Sequence, residues 1–166
     1  MVHGDGSQTG LDIYDDQSIA VDGEFNFYVA YKKYSDRRLL SFAQDGTKRW
    51  EYTLESLAAE YHRIAVSESG DLWVYDANSN DRVYRFDKDT GALLEDTIDK
   101  EYRTTASTVD ADGALYLTSE SGLIQKLVPN GGVEYSVSAS KPGAGLGEIV
   151  VGAGGEYLYV QTAGGT

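Results

Sequence analysis

The stretch Ile64-Ala65-Val66-Ser67-Glu68-Ser69-Gly70-Asp71-Leu72-Trp73-Val74 decides the fold, because its pattern of apolar word, turn and second apolar word runs through the whole chain. Ile19-Ala20-Val21 and Phe27-Tyr28-Val29 stand 45 residues earlier. Thr108-Val109 with Leu115-Tyr116-Leu117 stands 43 residues later, and Val150-Val151 with Tyr157-Leu158-Tyr159-Val160 a further 42. Each pair of words encloses a turn: Val21-Asp22-Gly23, Ser67-Glu68-Ser69-Gly70, Asp110-Ala111-Asp112-Gly113 and Gly152-Ala153-Gly154-Gly155. Short apolar runs separated by Gly and Asp read as hairpins between a strand a and a strand b.

A third strand, c, follows in three copies: Arg38-Leu39-Leu40-Ser41-Phe42, Arg82-Val83-Tyr84-Arg85-Phe86 and Leu123-Ile124-Gln125-Lys126-Leu127. A second turn (Asp45-Gly46, Asp89-Thr90-Gly91, Asn130-Gly131-Gly132) leads into an alternating strand d, whose expected buried side is Trp50/Tyr52/Leu54, Leu94/Ile98 and Val133/Tyr135/Val137. Strands are expected near 18–22, 25–31, 38–43 and 48–54, with one short helical turn at 55–60 that Ser56 can cap. Four antiparallel strands in every 42 to 45 residues is the pattern of a β-propeller blade.

The run from Ile64 to Asp76, continued by Asn80-Asp81-Arg82-Val83-Tyr84-Arg85-Phe86-Asp87, resembles an NHL repeat. Leu40-Ser41-Phe42-Ala43-Gln44-Asp45-Gly46 to Trp50 is similar to the PQQ-like repeats of bacterial propellers. The likeness implies an all-β propeller of four-stranded antiparallel blades and implies little about activity. Residues 105–137 depart from it: Ser119-Glu120-Ser121-Gly122 replaces the Asn-x-Arg element.

The expected layout is a single propeller domain over 1–166: a d strand at 7–15, blades at about 16–56, 57–100 and 101–140, and a final a–b pair at 147–162. Leu11 and Ile13 alternate as a strand d would. About four blades sharing the two chain ends in one ring, an open fragment of a larger propeller, and two chains pairing as half-rings all satisfy this layout.

Composition agrees. Of 166 residues, 41% are apolar and 25% charged, as in ordinary globular chains. Nineteen Gly and thirteen Tyr against two Pro favour tight turns between strands. Twenty-seven Asp and Glu against 14 Lys and Arg give a net charge of −13, which repels polyphosphate and anionic lipid and makes nucleic acid an unfavourable partner. Excess carboxylate also suits a halophilic protein, because molar salt screens self-repulsion. There is no Cys, hence no disulfide, thiolate nucleophile or Cys-based zinc site. Met1 to Gly6 lacks the marks of a signal peptide, and no apolar run approaches the ~20 residues of a membrane span, so a soluble chain without membrane insertion is expected.

For catalysis the sequence offers His3 and His62, neither with a partner in a recognisable motif, and it contains no G-x-S-x-G, H-E-x-x-H or Walker lysine. The Gly-rich stretches 142–147 and 152–155 lead into apolar strands rather than a helix that could hold phosphate. Asp110-x-Asp112-Gly113 and Asp87-x-Asp89-x-Gly91 lack the later ligands of a calcium loop and read as Asp capping its own turn. No catalytic residue, metal or cofactor is therefore expected. Tyr28, Trp73, Tyr116 and Tyr159 repeat on strand b and are expected in the core between blades, whereas Tyr31, Tyr34 and Tyr61 break the repeat and are expected in loops. The expected binding site is the b–c loop of the first copy, where Lys32, Lys33, Tyr34, Arg37 and Arg38 cluster in an acidic chain, since Tyr and Arg favour interface centres. These features point to a non-catalytic binding or scaffold module that recognises a protein or a surface glycan, as a virion or cell-surface structural component, with a homo-oligomer among its forms. The alternatives are a propeller enzyme of the lyase, lactonase or quinoprotein type with a central-channel metal, and a fragment of a larger propeller.

Overall fold

The computed structural model describes residues 18–33, 36–54, 62–77, 82–99, 103–130, 132–139, 145–152 and 155–162. Among these, all regular structure is strand. The first sheet is β1 (Ser18–Val21), β2 (Phe27–Lys33), β3 (Asp36–Phe42) and β4 (Lys48–Thr53), hydrogen-bonded in chain order. The second is β5 (His62–Val66), β6 (Asp71–Asp76), β7 (Arg82–Asp87) and β8 (Leu93–Asp99). The third is β9 (Thr104–Val109), β10 (Leu115–Ser119), β11 (Leu123–Val128) and β12 (Gly132–Ser138), and a two-stranded sheet of β13 (Leu146–Val151) and β14 (Leu158–Thr162) follows. Every pairing is antiparallel. The chain is an all-β protein of four-stranded antiparallel blades, a partial β-propeller. The expected d strand at 7–15 and helical turn at 55–60 lie outside the described residues.

Turns are closed where the glycines stand. Gly70, Gly113 and Gly155 occupy the same place in the second, third and fourth a–b hairpins and have φ of 114°, 90° and 74°, the left-handed region that a side chain disfavours. A β-carbon on Gly113 would lie 2.3 Å from an Asp71 carboxylate oxygen, so that site demands glycine twice over. In the first hairpin the same place is held not by Gly23 but by Phe25, at φ 62°.

Apolar rows then stack the blades. Tyr28, Ala30 and Leu39 of the first blade pack on Ile64, Leu72, Val74 and Phe86 of the second. Trp73, Tyr75 and Val83 on the second blade's other face pack on Leu115, Leu117 and Leu127. Tyr116 and Ile124 pack on Leu146 and Ile149. Period-2 alternation puts successive residues on opposite faces, so one strand serves two boundaries. Indole N–H groups pin two of these boundaries: Trp50 to the Lys88 carbonyl at 3.0 Å and Trp73 to the Gly113 carbonyl at 2.9 Å.

Several expectations are corrected. Tyr159 is 64% exposed, although Tyr28, Trp73 and Tyr116 in the same register are buried; no described blade covers β14 on that side. Strand d is less buried than its alternation suggests: Leu54 is fully buried and Trp50 and Tyr52 partly so, but Leu94, Val133, Tyr135 and Val137 are exposed. Strand d is the outermost strand of its sheet, and it finds cover only where a neighbouring blade reaches that far.

Candidate functional site

Four valines at one register position, Val21, Val66, Val109 and Val151, together with the turn residues that follow them, line a funnel of about 350 Å³ at one end of the arc. Its position follows from the repeat, because β1 lies beside β5, β5 beside β9 and β9 beside β13, which brings the ends of all four a strands together. The turns carry Asp22, Glu68 and Asp110 into this lining.

The carboxylates of Asp22 and Asp110 are already occupied. Asp22 Oδ1 accepts the backbone N–H groups of Glu24 and Asn26, and Oδ2 accepts the Tyr28 hydroxyl at 2.9 Å. Asp110 repeats the device, accepting from the N–H groups of Asp112 and Ala114 and from the Tyr116 hydroxyl at 3.0 Å. Burial alone would raise the Asp22 carboxyl, but bonds from Asn26 and Tyr28 and the charge of Lys88 outweigh it and hold it below the ordinary value of 3.8. Burial, with Asp22 beside it, pushes the Tyr28 hydroxyl well up, and burial with Asp110 pushes Tyr116 to about 12. Asp87 likewise caps its own turn, bonding the N–H groups of Asp89 and Thr90. Among the described residues no group of three His, Asp or Glu side chains is placed to hold a metal.

Phe25 belongs to the hairpin whose Val21, Asp22 and Gly23 line the funnel, and it is 63% exposed. A large side chain in the left-handed region costs roughly 1–2 kcal/mol, and this one recovers little by burial. The sequence held the signal: the three companion turns carry Gly where this one carries Phe.

The expected cationic site lies at the opposite, b–c end. Its residues stand on strands, not in a loop: β2 and β3 pair as far as Tyr31↔Arg38, Lys32↔Arg37 and Lys33↔Asp36. Tyr34 lies outside the described residues. The register divides the cations, since cross-strand partners share a face and neighbours do not. Lys32 and Arg37 lie on the face that carries Ala30 and Leu39 toward the second blade, and both are half-buried. Arg38 lies on the other face, where Asp36 holds its Nε at 2.6 Å and Glu51 also binds the guanidinium. Sequence proximity thus overstated the cluster. Tyr31 is in β2, His62 opens β5, and His3 and Tyr61 lie outside the described residues.

A second polar cluster went unnoticed in the sequence. Arg85 donates to Asp71 at 2.6 Å, to Glu95 at 2.7 Å and to Asn130 Oδ1 of the third blade at 2.6 Å, and its guanidinium lies 6.0 Å from the Trp73 ring centre. With every arm engaged and the side chain 8% exposed, Arg85 works as a clasp between blades. Four residues from three strands and a turn meet only in the fold.

Comparison with known proteins agrees with the architecture. A family described as a domain of unknown function (DUF7957) matches residues 25–98. No curated protein matches. Among solved structures, the chain is similar to BamB from Moraxella catarrhalis, with 18% identity, a TM-score of 0.62, and 87% of this chain and 39% of that one covered. It is similar to an inactive variant of virginiamycin B lyase from Staphylococcus aureus bound to quinupristin, with 19% identity, a TM-score of 0.66 and coverage of 86% and 47%. It is also similar to the Dos1 propeller, with 9% identity, a TM-score of 0.66 and coverage of 86% and 38%. The chain spans less than half the length of each of these three structures, and at such identities the likeness establishes the propeller fold alone.

Proposed function

We propose that the chain is a non-catalytic propeller module that binds another protein through the end of the arc where the a–b hairpins meet. Phe25 carries this reading. A bulky aromatic held at positive φ and left exposed is unfavourable for folding, and strain of this kind is expected where a surface serves a contact. Aromatic anchors are the usual centre of a binding surface, and the same hairpin borders a funnel of mixed lining, four valines with Asp22, Ser67, Glu68 and Asp110. Glu68 and Glu24 on the same turns favour a partner with basic residues around an apolar centre. Lys32, Lys33, Tyr34, Arg37 and Arg38 at the other end are a second contact within the same proposal.

The experiment screens the chain against arrays of peptides and of glycans, then repeats it with Phe25→Gly and with the joint Ser substitution of Lys32, Lys33, Arg37 and Arg38. The expected result is a basic peptide ligand whose affinity falls about 30-fold or more with Phe25→Gly, the effect of a hot spot worth about 2 kcal/mol. Selective glycan binding would replace the protein partner, and binding unchanged by both variants would remove the proposal.

A further inference from the structure

At each described boundary between blades, the strand-b aromatic of one blade and the strand-a valine of the next belong to a single packed cluster: Tyr28 with Val66, Trp73 with Val109, Tyr116 with Val151. The repeat contains a fourth member of each kind. Among the described residues, no blade lies over Tyr159 and none lies against Val21 on the side where their counterparts are covered. Tyr159 and Val21 are 64% and 57% exposed. Their neighbours on the same faces, Val150 at 58% and Ile19 at 62%, are uncovered as well. The described arc therefore ends in two exposed apolar faces that carry the same pair of residue kinds as each internal boundary, an aromatic on one and a valine on the other, and these two faces do not meet each other.

The curvature says what spans the gap. The arc superposes over 86–87% of its own length on propellers of which it spans only 38–47%, so it bends as a ring about twice its length bends. We propose that a second copy of the chain completes the ring, the Tyr159 face of each copy docking on the Val21 face of the other. Such a head-to-tail contact closes after two steps into a twofold-symmetric ring and leaves neither face open. It would bury two rows of exposed apolar side chains at each contact, the driving force for association. Val21 also lines the funnel, so the two proposals share that residue, but neither is argued from the other.

The absence of cysteine in the chain makes a disulfide trap clean. A variant carrying Val21→Cys and Tyr159→Cys together, oxidised in glutathione buffer, is expected to form a covalent dimer, while either single variant stays uncrosslinked. By sedimentation, the unmodified chain at about 100 μM is expected at twice its own mass, and Tyr159→Asp, which touches only an exposed position, at one chain mass with an unchanged circular dichroism spectrum. Three outcomes overturn the proposal. An internally crosslinked monomer would mean that the ring closes within one chain. Crosslinking of a single variant would mean that like faces meet. An unmodified chain that remains monomeric would mean that neither face docks on a copy of this chain.

Discussion

The indole N–H of Trp73 on the second blade donates to the backbone carbonyl of Gly113 in the third, across 2.9 Å, and the ring itself is fully buried. One side chain thus supplies both the apolar filling of a blade boundary and its polar register. Trp73→Phe keeps most of the filling but leaves the carbonyl unsatisfied, and it is expected to cost about 1–3 kcal/mol. Trp73→Ala removes both and is expected to cost about 3–5 kcal/mol. Urea midpoints of the two variants against the parent chain check the order, and a loss near zero for Trp73→Phe would show that the hydrogen bond contributes nothing.

Phe25→Gly is expected to stabilise the chain. Glycine adopts φ near 62° without the clash that phenylalanine meets there, a gain of about 1 kcal/mol after the extra freedom of the unfolded chain is subtracted. The melting temperature should rise by roughly 2–4 °C for a chain of this size. A fall would show that Phe25 holds the hairpin by packing rather than straining it.

Stability is expected to decline on both sides of neutrality, for different groups. Asp22, Asp87 and Glu51 are held below their ordinary values in the folded chain, so their contribution is present above the unfolded values near 4 and is lost as pH falls through the folded ones. Tyr28 is raised, and burial lifts Tyr75 and Tyr116 to about 12, so their contribution is present below the unfolded value near 10 and is lost as pH climbs toward 12. Urea midpoints between pH 3 and 11 read both limbs. Asp22→Asn should flatten the acid limb, since the amide cannot titrate.

Added salt is expected to stabilise the fold. A net charge of −13 on 166 residues makes self-repulsion substantial at low ionic strength, and screening shortens its range from ~30 Å at 10 mM to ~3 Å at 1 M. The melting temperature should climb over that interval. A flat response would mean that local pairs such as Arg49–Asp89 and Lys126–Glu134 already offset the charge.

The strands, their order and the sites of their turns were determined by the sequence alone, because they depend on neighbours within a few residues. Alternating side chains choose a pleated strand, and glycine after a short polar run closes three of the four a–b hairpins, Phe25 holding that place in the first. The repeat multiplied that local evidence until it specified a blade. Burial, in contrast, is decided by what lies across a boundary. Tyr28 and Tyr159 stand in the same word of the repeat, yet one is sealed under the second blade and the other is 64% exposed, a difference that exists only once the blades are placed around an axis. The cations at 32–38 show the same limit: adjacent along the chain, they are divided by the β2–β3 register between two faces, and pairing between strands is a property of the folded sheet. The Arg85 clasp also required the tertiary structure, since the meeting of Asp71, Glu95 and Asn130 around one guanidinium is set by packing that no single stretch of sequence contains.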